Sequence, residues 1–217
     1  MTSQPLGGEG WTHLFRRRKT WQLTNDTVHQ WMENNTDFFH FLSEFVPPNG
    51  RVIDLGCGPG RHSLSVALMG YCVVGVDVDP EVIDQARINA AAVAPDAKIE
   101  FLVGDIHDLG GFGDNPGYDA VIHGGVMEHF PSRESIRDSL SEQLQLAPYV
   151  IFDVPIRTEK NLHMFENDRI FRNIWSTEDW MTDVLHGFDV RRWTEVRRPV
   201  GMVLADEVVL VIARPNS

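Results

Sequence analysis

Val52-Ile53-Asp54-Leu55-Gly56-Cys57-Gly58-Pro59-Gly60 is the stretch whose reading decides the fold. Arg51–Leu55 reads as a short buried strand, and it runs straight into a glycine-rich turn. Gly56 and Gly58 can take positive φ and carry no Cβ, so the backbone there can approach a ligand closely. The spacing is G-x-G-x-G; the dinucleotide fingerprint wants a further glycine at position 61, where Arg61 stands. A diphosphate prefers a helix N-terminus free of carboxylates. Asp54, two residues before the first glycine, instead suits a cationic group such as an amino acid ammonium.

Downstream, strands and helices alternate. Arg61–Met69 reads as a helix broken by Gly70, and Cys72–Val76 as the next strand. Asp79 caps a helix that carries Pro80 in its first turn and runs to about Ala94. Ile99–Val103, Tyr118–His123 and Tyr149–Val154 are three further strands, with a helix over 132–146 opened by Ser132. Almost unbroken apolar strands between helices imply a parallel sheet covered on both faces. Near the end the rhythm changes. Ser176-Thr177-Glu178-Asp179 opens a helix reaching about His186, with Gly187 ending it. Phe188–Val196 and Glu207–Ala213 then follow as strands joined by ten residues, too short for a helical crossover, so they should pair antiparallel.

Upstream, residues 1–10 are polar and glycine-rich, and aromatics are spaced from Trp11 to Phe45. From Thr27 onward Val28, Trp31, Met32, Phe38, Phe39, Leu42 and Phe45 predict one or two amphipathic helices, stopped by Pro47-Pro48-Asn49-Gly50. Phe38, Phe41 and Phe45 are expected in the core. Trp11, His13, Phe15 and Trp21 precede the periodic segment and are the candidates for covering a bound ligand. The expected organisation is an N-terminal arm and helical lid, 1–46, folding with one α/β domain, 47–217.

The chain has 217 residues and a formal charge of −12, which opposes general affinity for nucleic acid or anionic membranes. Arg16-Arg17-Arg18-Lys19 runs against that balance and is read first as a solvated face. No 18-residue apolar run is present, and the first residues lack the order of a signal peptide. Cys57 and Cys72 lack CxxC spacing and should sit at opposite ends of neighbouring strands, so a reducing, cytoplasmic setting is expected.

Two further acids complete a pattern. Asp77 in Gly75-Val76-Asp77-Val78-Asp79 lies near the offset at which an acid ending the second strand accepts ribose hydroxyls. Asp105 in Val103-Gly104-Asp105-Ile106 ends the third strand, where an acceptor can take an exocyclic amine while the following N–H serves a ring nitrogen. Each has a plainer competing reading: a tight turn for the glycines, capping of Val78–Glu81 for Asp77, and capping of Ile106-His107-Asp108 for Asp105.

On these residues the sequence resembles the class I S-adenosylmethionine-dependent methyltransferases. VIDLGCGPG looks like their first motif, GVDVD their second, VGDI the adenine-side motif, and YDAVIHGGVMEHF the segment beside the transferred methyl. The resemblance implies a doubly wound, mostly parallel seven-stranded sheet with an antiparallel last strand. It also implies S-adenosyl-L-methionine as cofactor and S-adenosyl-L-homocysteine as product. Carried over, Asp54, Gly56 and Gly58 face the methionine moiety, Asp77 the ribose, Asp105 and Ile106 the adenine, and the His123 backbone the sulfonium.

Methyl transfer from a sulfonium needs alignment and exclusion of water more than a particular catalytic side chain. His129 is the candidate general base, against the reading that it orders its loop. Asp153, ending the fifth strand, is a candidate for orienting an acceptor amine or hydroxyl; His163 and Glu166 lie in a segment expected to shape the acceptor pocket. No metal is expected, since there is no HExxH and Glu128-His129 with His123 lacks ligand spacing. The leading expectation is an N- or O-methyltransferase of a small molecule, acting as a monomer or homodimer. Alternatives are methylation of protein or RNA, with Arg16–Lys19, Arg191, Arg192, Arg197 and Arg198 as docking patches, and a related transfer such as cyclopropanation.

Overall fold

The computed structural model describes residues 21–112, 117–159, 161, 174–200 and 203–215. Among the described residues two helices come first, α1 (Asn25–Asn34) and α2 (Thr36–Phe45), followed by β1 (Arg51–Leu55), α3 (Arg61–Leu68), β2 (Cys72–Asp77), α4 (Pro80–Val93) and β3 (Ile99–Val103). After β4 (Ala120–Gly124), α5 (Arg133–Leu146) and β5 (Tyr149–Pro155), the chain closes with β6 (Asp189–Val200) and β7 (Val203–Ala213). The strand order is β3-β2-β1-β4-β5-β7-β6. Strands β1 to β5 are mutually parallel, and β7 lies antiparallel to both of its neighbours, β5 and β6. The seven-stranded, mostly parallel sheet is therefore as expected.

Local signals act as read. Asp79 caps α4 through its side chain, with Pro80 at the first turn, and Ser132 caps α5 in a capping box with Ser135. The sheet is apolar on both sides because strand side chains alternate. Ile53, Leu55, Val121, Phe152, Val154, Leu210 and Ile212 share one face with Ile136, Leu140 and Leu144 of α5 and with Trp180. On the other face, Val52, Ile122, Ile151, Val209 and Val211 pack with Phe38, Phe39, Phe41 and Leu42 of α2. Phe38 and Phe41 are thus core residues, and α2 is a layer of the fold rather than a detached cover. Trp11, His13 and Phe15 lie outside the described residues. Trp21 is half-buried, and its carbonyl accepts from Asn89 Nδ2 of α4 at 2.9 Å.

Two expectations are corrected. The helix read from Ser176 to His186 is one short helix, Thr177–Asp179, continued by a π-helical turn, Trp180–Val184, although Ser176 does cap it. The last two strands are longer than read, pairing from Asp189↔Ala213 to Val200↔Val203, so two residues rather than ten lie between them. β6 runs past Val196 through Pro199, and as the edge strand of the sheet it is where a proline is tolerated. Cys57 and Cys72 are free thiols at opposite ends of β1 and β2. No helix among the described residues is long and apolar enough to cross a membrane.

Candidate active site

The candidate site is taken at the carboxyl ends of the central strands, where open α/β sheets bind their ligands. There the chain leaves β1 through Gly56, Gly58 and Gly60, with φ of 70°, 55° and 93°. The turn is fastened to β2: Gly56 N and Cys57 N donate to Val76 O at 2.8 and 2.9 Å. A Cβ on Gly56 would stand 2.9 Å from Val126 Cγ2, so the first turn and the loop after β4 need glycine here.

Asp54 and Asp77 are buried on either side of this turn. Ser63 Oγ donates to Asp54 Oδ2 at 2.5 Å. Burial, with the neighbouring charges of Asp77 and Asp153, lifts the Asp54 carboxyl to about 7 against that hydrogen bond. Asp77 accepts from Gly58 N (2.9 Å) and Asp79 N (3.1 Å), and burial also pushes its carboxyl above the ordinary range. Asp77 thereby holds the glycine turn as well as facing the crevice. Asp105 is exposed, and its Oδ1 accepts from His107 N at 2.9 Å; the capping reading describes its present contact, and Ile106 beside it is half-buried.

The His123 side chain points away from the crevice, into the core beneath α5, stacked on Phe152 at 5.0 Å. Only its backbone reaches the end of β4. Burial holds its ring near 3. His129 sits at the end of the 3-10 turn Met127–His129, with Nε2 3.7 Å from Glu128 Oε1. Glu128 is itself buried, which pushes its carboxyl well above the usual range, with Asp153 and Glu207 adding to the effect. Asp153 is not a free acceptor. Its Oδ1 takes Gly125 N at 3.0 Å and its Oδ2 takes Arg198 Nη1 at 3.0 Å.

That ion pair opens a part of the site that sequence reasoning missed. Arg198 Nη1 also reaches Asn35 Oδ1 at 2.6 Å and Glu207 Oε2 at 3.2 Å. His62 packs among Trp31, Phe38 and Phe39 and fills the space against Gly124, so a Cβ there would collide with its ring. Burial, helped by Arg61 and Arg198, holds this imidazole near 3. A signal for Arg198 was present. Two adjacent strand residues face opposite ways, so either Arg197 or Arg198 had to point into a covered face. Arg197 is exposed and lies 3.7 Å from Asp206; Arg198 is the buried one. The proposed surface patch is corrected at Arg198, which is inside; Arg191, paired with Asp189, and Arg192, paired with Glu44, are exposed. Arg16–Lys19, His163 and Glu166 lie outside the described residues.

Residues 52–146 match the family model described as a methyltransferase domain. That match spans under half of the chain, and the fold as a whole is shared with solved methyltransferases. It is similar in structure to the magnesium protoporphyrin IX methyltransferase of Synechocystis PCC 6803 solved with bound SAH. The TM-score is 0.67 at 21% identity, covering 94% of each chain. In sequence it is 31% identical over 107 residues to the ubiquinone biosynthesis O-methyltransferase of Xylella fastidiosa (strain 9a5c), covering 48% of this chain and 42% of that protein. It is 45% identical over 60 residues to an uncharacterized RNA methyltransferase of Parasynechococcus marenigrum (strain WH8102), covering 28% of this chain and 13% of that one. The chain thus spans less than half the length of these curated relatives. Asp54 and Asp77 thus flank the three glycines, while Asp153 and Arg198 form a second buried polar group near Glu128.

Proposed function

We propose that this protein is an S-adenosyl-L-methionine-dependent methyltransferase that moves a methyl group to nitrogen or oxygen of a small-molecule acceptor. The observation that carries this reading is the pair of buried carboxylates, Asp54 and Asp77, flanking a turn whose glycines leave no side chain in the way. An acid that burial holds at about 7 is a poor partner for a phosphate and a good one for an ammonium. The residues present therefore fit an amino acid nucleoside. Asp54, Gly56 and Gly58 would hold its methionine part, Asp77 its ribose hydroxyls, and Asp105 with the Ile106 N–H its adenine.

When bound, the cofactor supplies a methyl group already activated on a sulfonium. The protein's share is placement: the β4 backbone from His123 to Gly125 borders the reacting end. Buried side chains on either side keep water out, and fixed geometry of this kind supplies much of a transfer rate. His129 is the candidate base at the mouth of the crevice. Asp153 acts by holding Gly125 N and Arg198, so its orienting role is exerted through them.

A small acceptor is supported by the formal charge of −12 and by the burial of Arg198, which takes it out of any docking patch. The free thiols accord with a cytoplasmic enzyme. Calorimetry with S-adenosylhomocysteine tests the proposal. The wild-type chain should take up one equivalent, and Asp77→Ala should weaken binding by about 1–3 kcal/mol through stranded hydroxyls. Absence of uptake by the wild type would refute the enzymatic reading; unchanged affinity in the variant would refute the ribose assignment.

A further inference from the structure

Past the apolar core, the face covered by α2 turns polar. Asp153 lies two residues beyond Ile151 on β5, Glu207 two before Val209 on β7, and Arg198 two beyond Val196 on β6. The pairings Asp153↔Val209 and Val196↔Glu207 put all three on that one face. Asn35, buried at the junction of α1 and α2, closes the group from above.

The contacts of Arg198 are lopsided. All three of its acceptors, Asn35, Asp153 and Glu207, converge on Nη1. Its Nε and Nη2 are buried and have no hydrogen-bond partner, although the residue is only 4% exposed. A guanidinium cannot be neutralised by giving up a proton, so its buried N–H groups need a partner in the working protein. The same neighbourhood holds three more buried polar atoms without partners: Glu128 Oε2, His62 Nε2 and Trp31 Nε1. Glu128 lies in the fields of Asp153 and Glu207, and His62 in that of Arg198, while Trp31 packs edge-on against His62. Five buried atoms without partners in one neighbourhood leave donors and acceptors for a bound group to satisfy.

We propose that the Nε–Nη2 edge of Arg198 is the binding site for a carboxylate group carried by the acceptor. This rests on the reading of the crevice as a methyl-transfer site and names the class of molecule it takes. The edge presents parallel N–H groups in a planar fork that matches two carboxylate oxygens. A monoanion suits the site better than a dianion, because Asp153 and Glu207 stand on the opposite edge of the same guanidinium. Burial also pushes the Glu207 carboxyl up, so this group tends to hold a proton and leaves Arg198 with charge to spare for a ligand.

The test is nuclear magnetic resonance on the full chain labelled with nitrogen-15, following the Arg198 Nε–H signal, assigned by its loss in Arg198→Lys. Sodium benzoate is titrated with and without saturating S-adenosylhomocysteine. Benzamide, sodium phosphate and sodium chloride at equal ionic strength are the comparisons. A saturable shift with benzoate in the loaded protein, absent with benzamide and chloride, is expected. Benzoate affinity should fall by about tenfold or more in Arg198→Lys, which keeps the charge and loses the fork. Four results would overturn the proposal: no benzoate response, a response equal to that of chloride, tighter binding of phosphate, or a shift produced by S-adenosylhomocysteine that removes the benzoate response. The last would mean that the methionine carboxylate takes this edge. Failure of S-adenosylhomocysteine to bind at all would sink the parent reading separately, since the unloaded titration still reports on Arg198. The wild-type titration stands even if the lysine variant is unstable.

Discussion

Asp54 offers the sharpest quantitative test of the cofactor end of the crevice. Its carboxyl is lifted to about 7, chiefly by burial, so near neutrality it is only half ionised before a ligand arrives. If its partner is the cofactor's ammonium, only the carboxylate form binds well. The sign follows directly: affinity for S-adenosylhomocysteine must rise as pH rises through 7 and level off above it. At pH 6 about a tenth of the protein carries the carboxylate, so binding there should be about tenfold weaker than at pH 8, close to 1.4 kcal/mol. His62 and His123 are both held near 3 and do not titrate in this window. Asp54→Asn keeps the size and the contact with Ser63 but removes the charge. It should lose about 1.5–3 kcal/mol of affinity at pH 8, approach the wild type at pH 6, and show a flat profile between. Isothermal calorimetry at constant ionic strength measures all four quantities. A flat wild-type profile, or an Asp54→Asn variant that binds normally at pH 8, would refute the ammonium assignment.

Other consequences of the structure are open to measurement. Gly56→Ala forces a side chain into positive φ and against Val126, so it should cost about 1–2 kcal/mol of stability and weaken S-adenosylhomocysteine binding; normal binding would show that the turn has room to move. Trp180→Ala removes a fully buried ring packed against Phe152 and Trp175, on the face away from the glycine turn. Calorimetric unfolding should show a loss of roughly 3–5 kcal/mol, seen as a fall in Tm on the order of 10 °C, with cofactor affinity retained in the cold. A change below about 2 °C would show that the cavity closes on its own. With a working acceptor, His129→Asn should lower kcat by about 10²–10⁴-fold if the imidazole removes a proton, and hardly at all if it only orders the turn.

The glycine turn and the acids beside it were legible in the chain because their logic is local. Each of Asp54, Asp77 and Asp105 lies at or just past a strand end, within a few residues of the turn it serves, and the turn itself is spelled out by glycines. The polar group around Arg198 was not. Asn35, His62, Asp153, Arg198 and Glu207 come from five separate elements spread over more than 170 residues. Asp153, His62 and Glu207 each sit in a stretch read as strand or helix, but nothing local says that they meet. Arg198 was read into a surface patch, past a strand ending at Val196; pairing with β7 carries β6 beyond that point.

By itself, then, the order of residues determined the strand–helix alternation, the reversed final strand, the caps at Asp79 and Ser132, and the acids ringing the glycine turn. Periodicity and turn chemistry act over a few neighbours and can be read without knowing what lies across the sheet. Which of two adjacent arginines turns inward, and which carboxylates meet it there, was decided only when α2, β5, β6 and β7 packed together. Burial energy belongs to the assembled layers, and a charge is placed inside only where distant partners arrive to meet it.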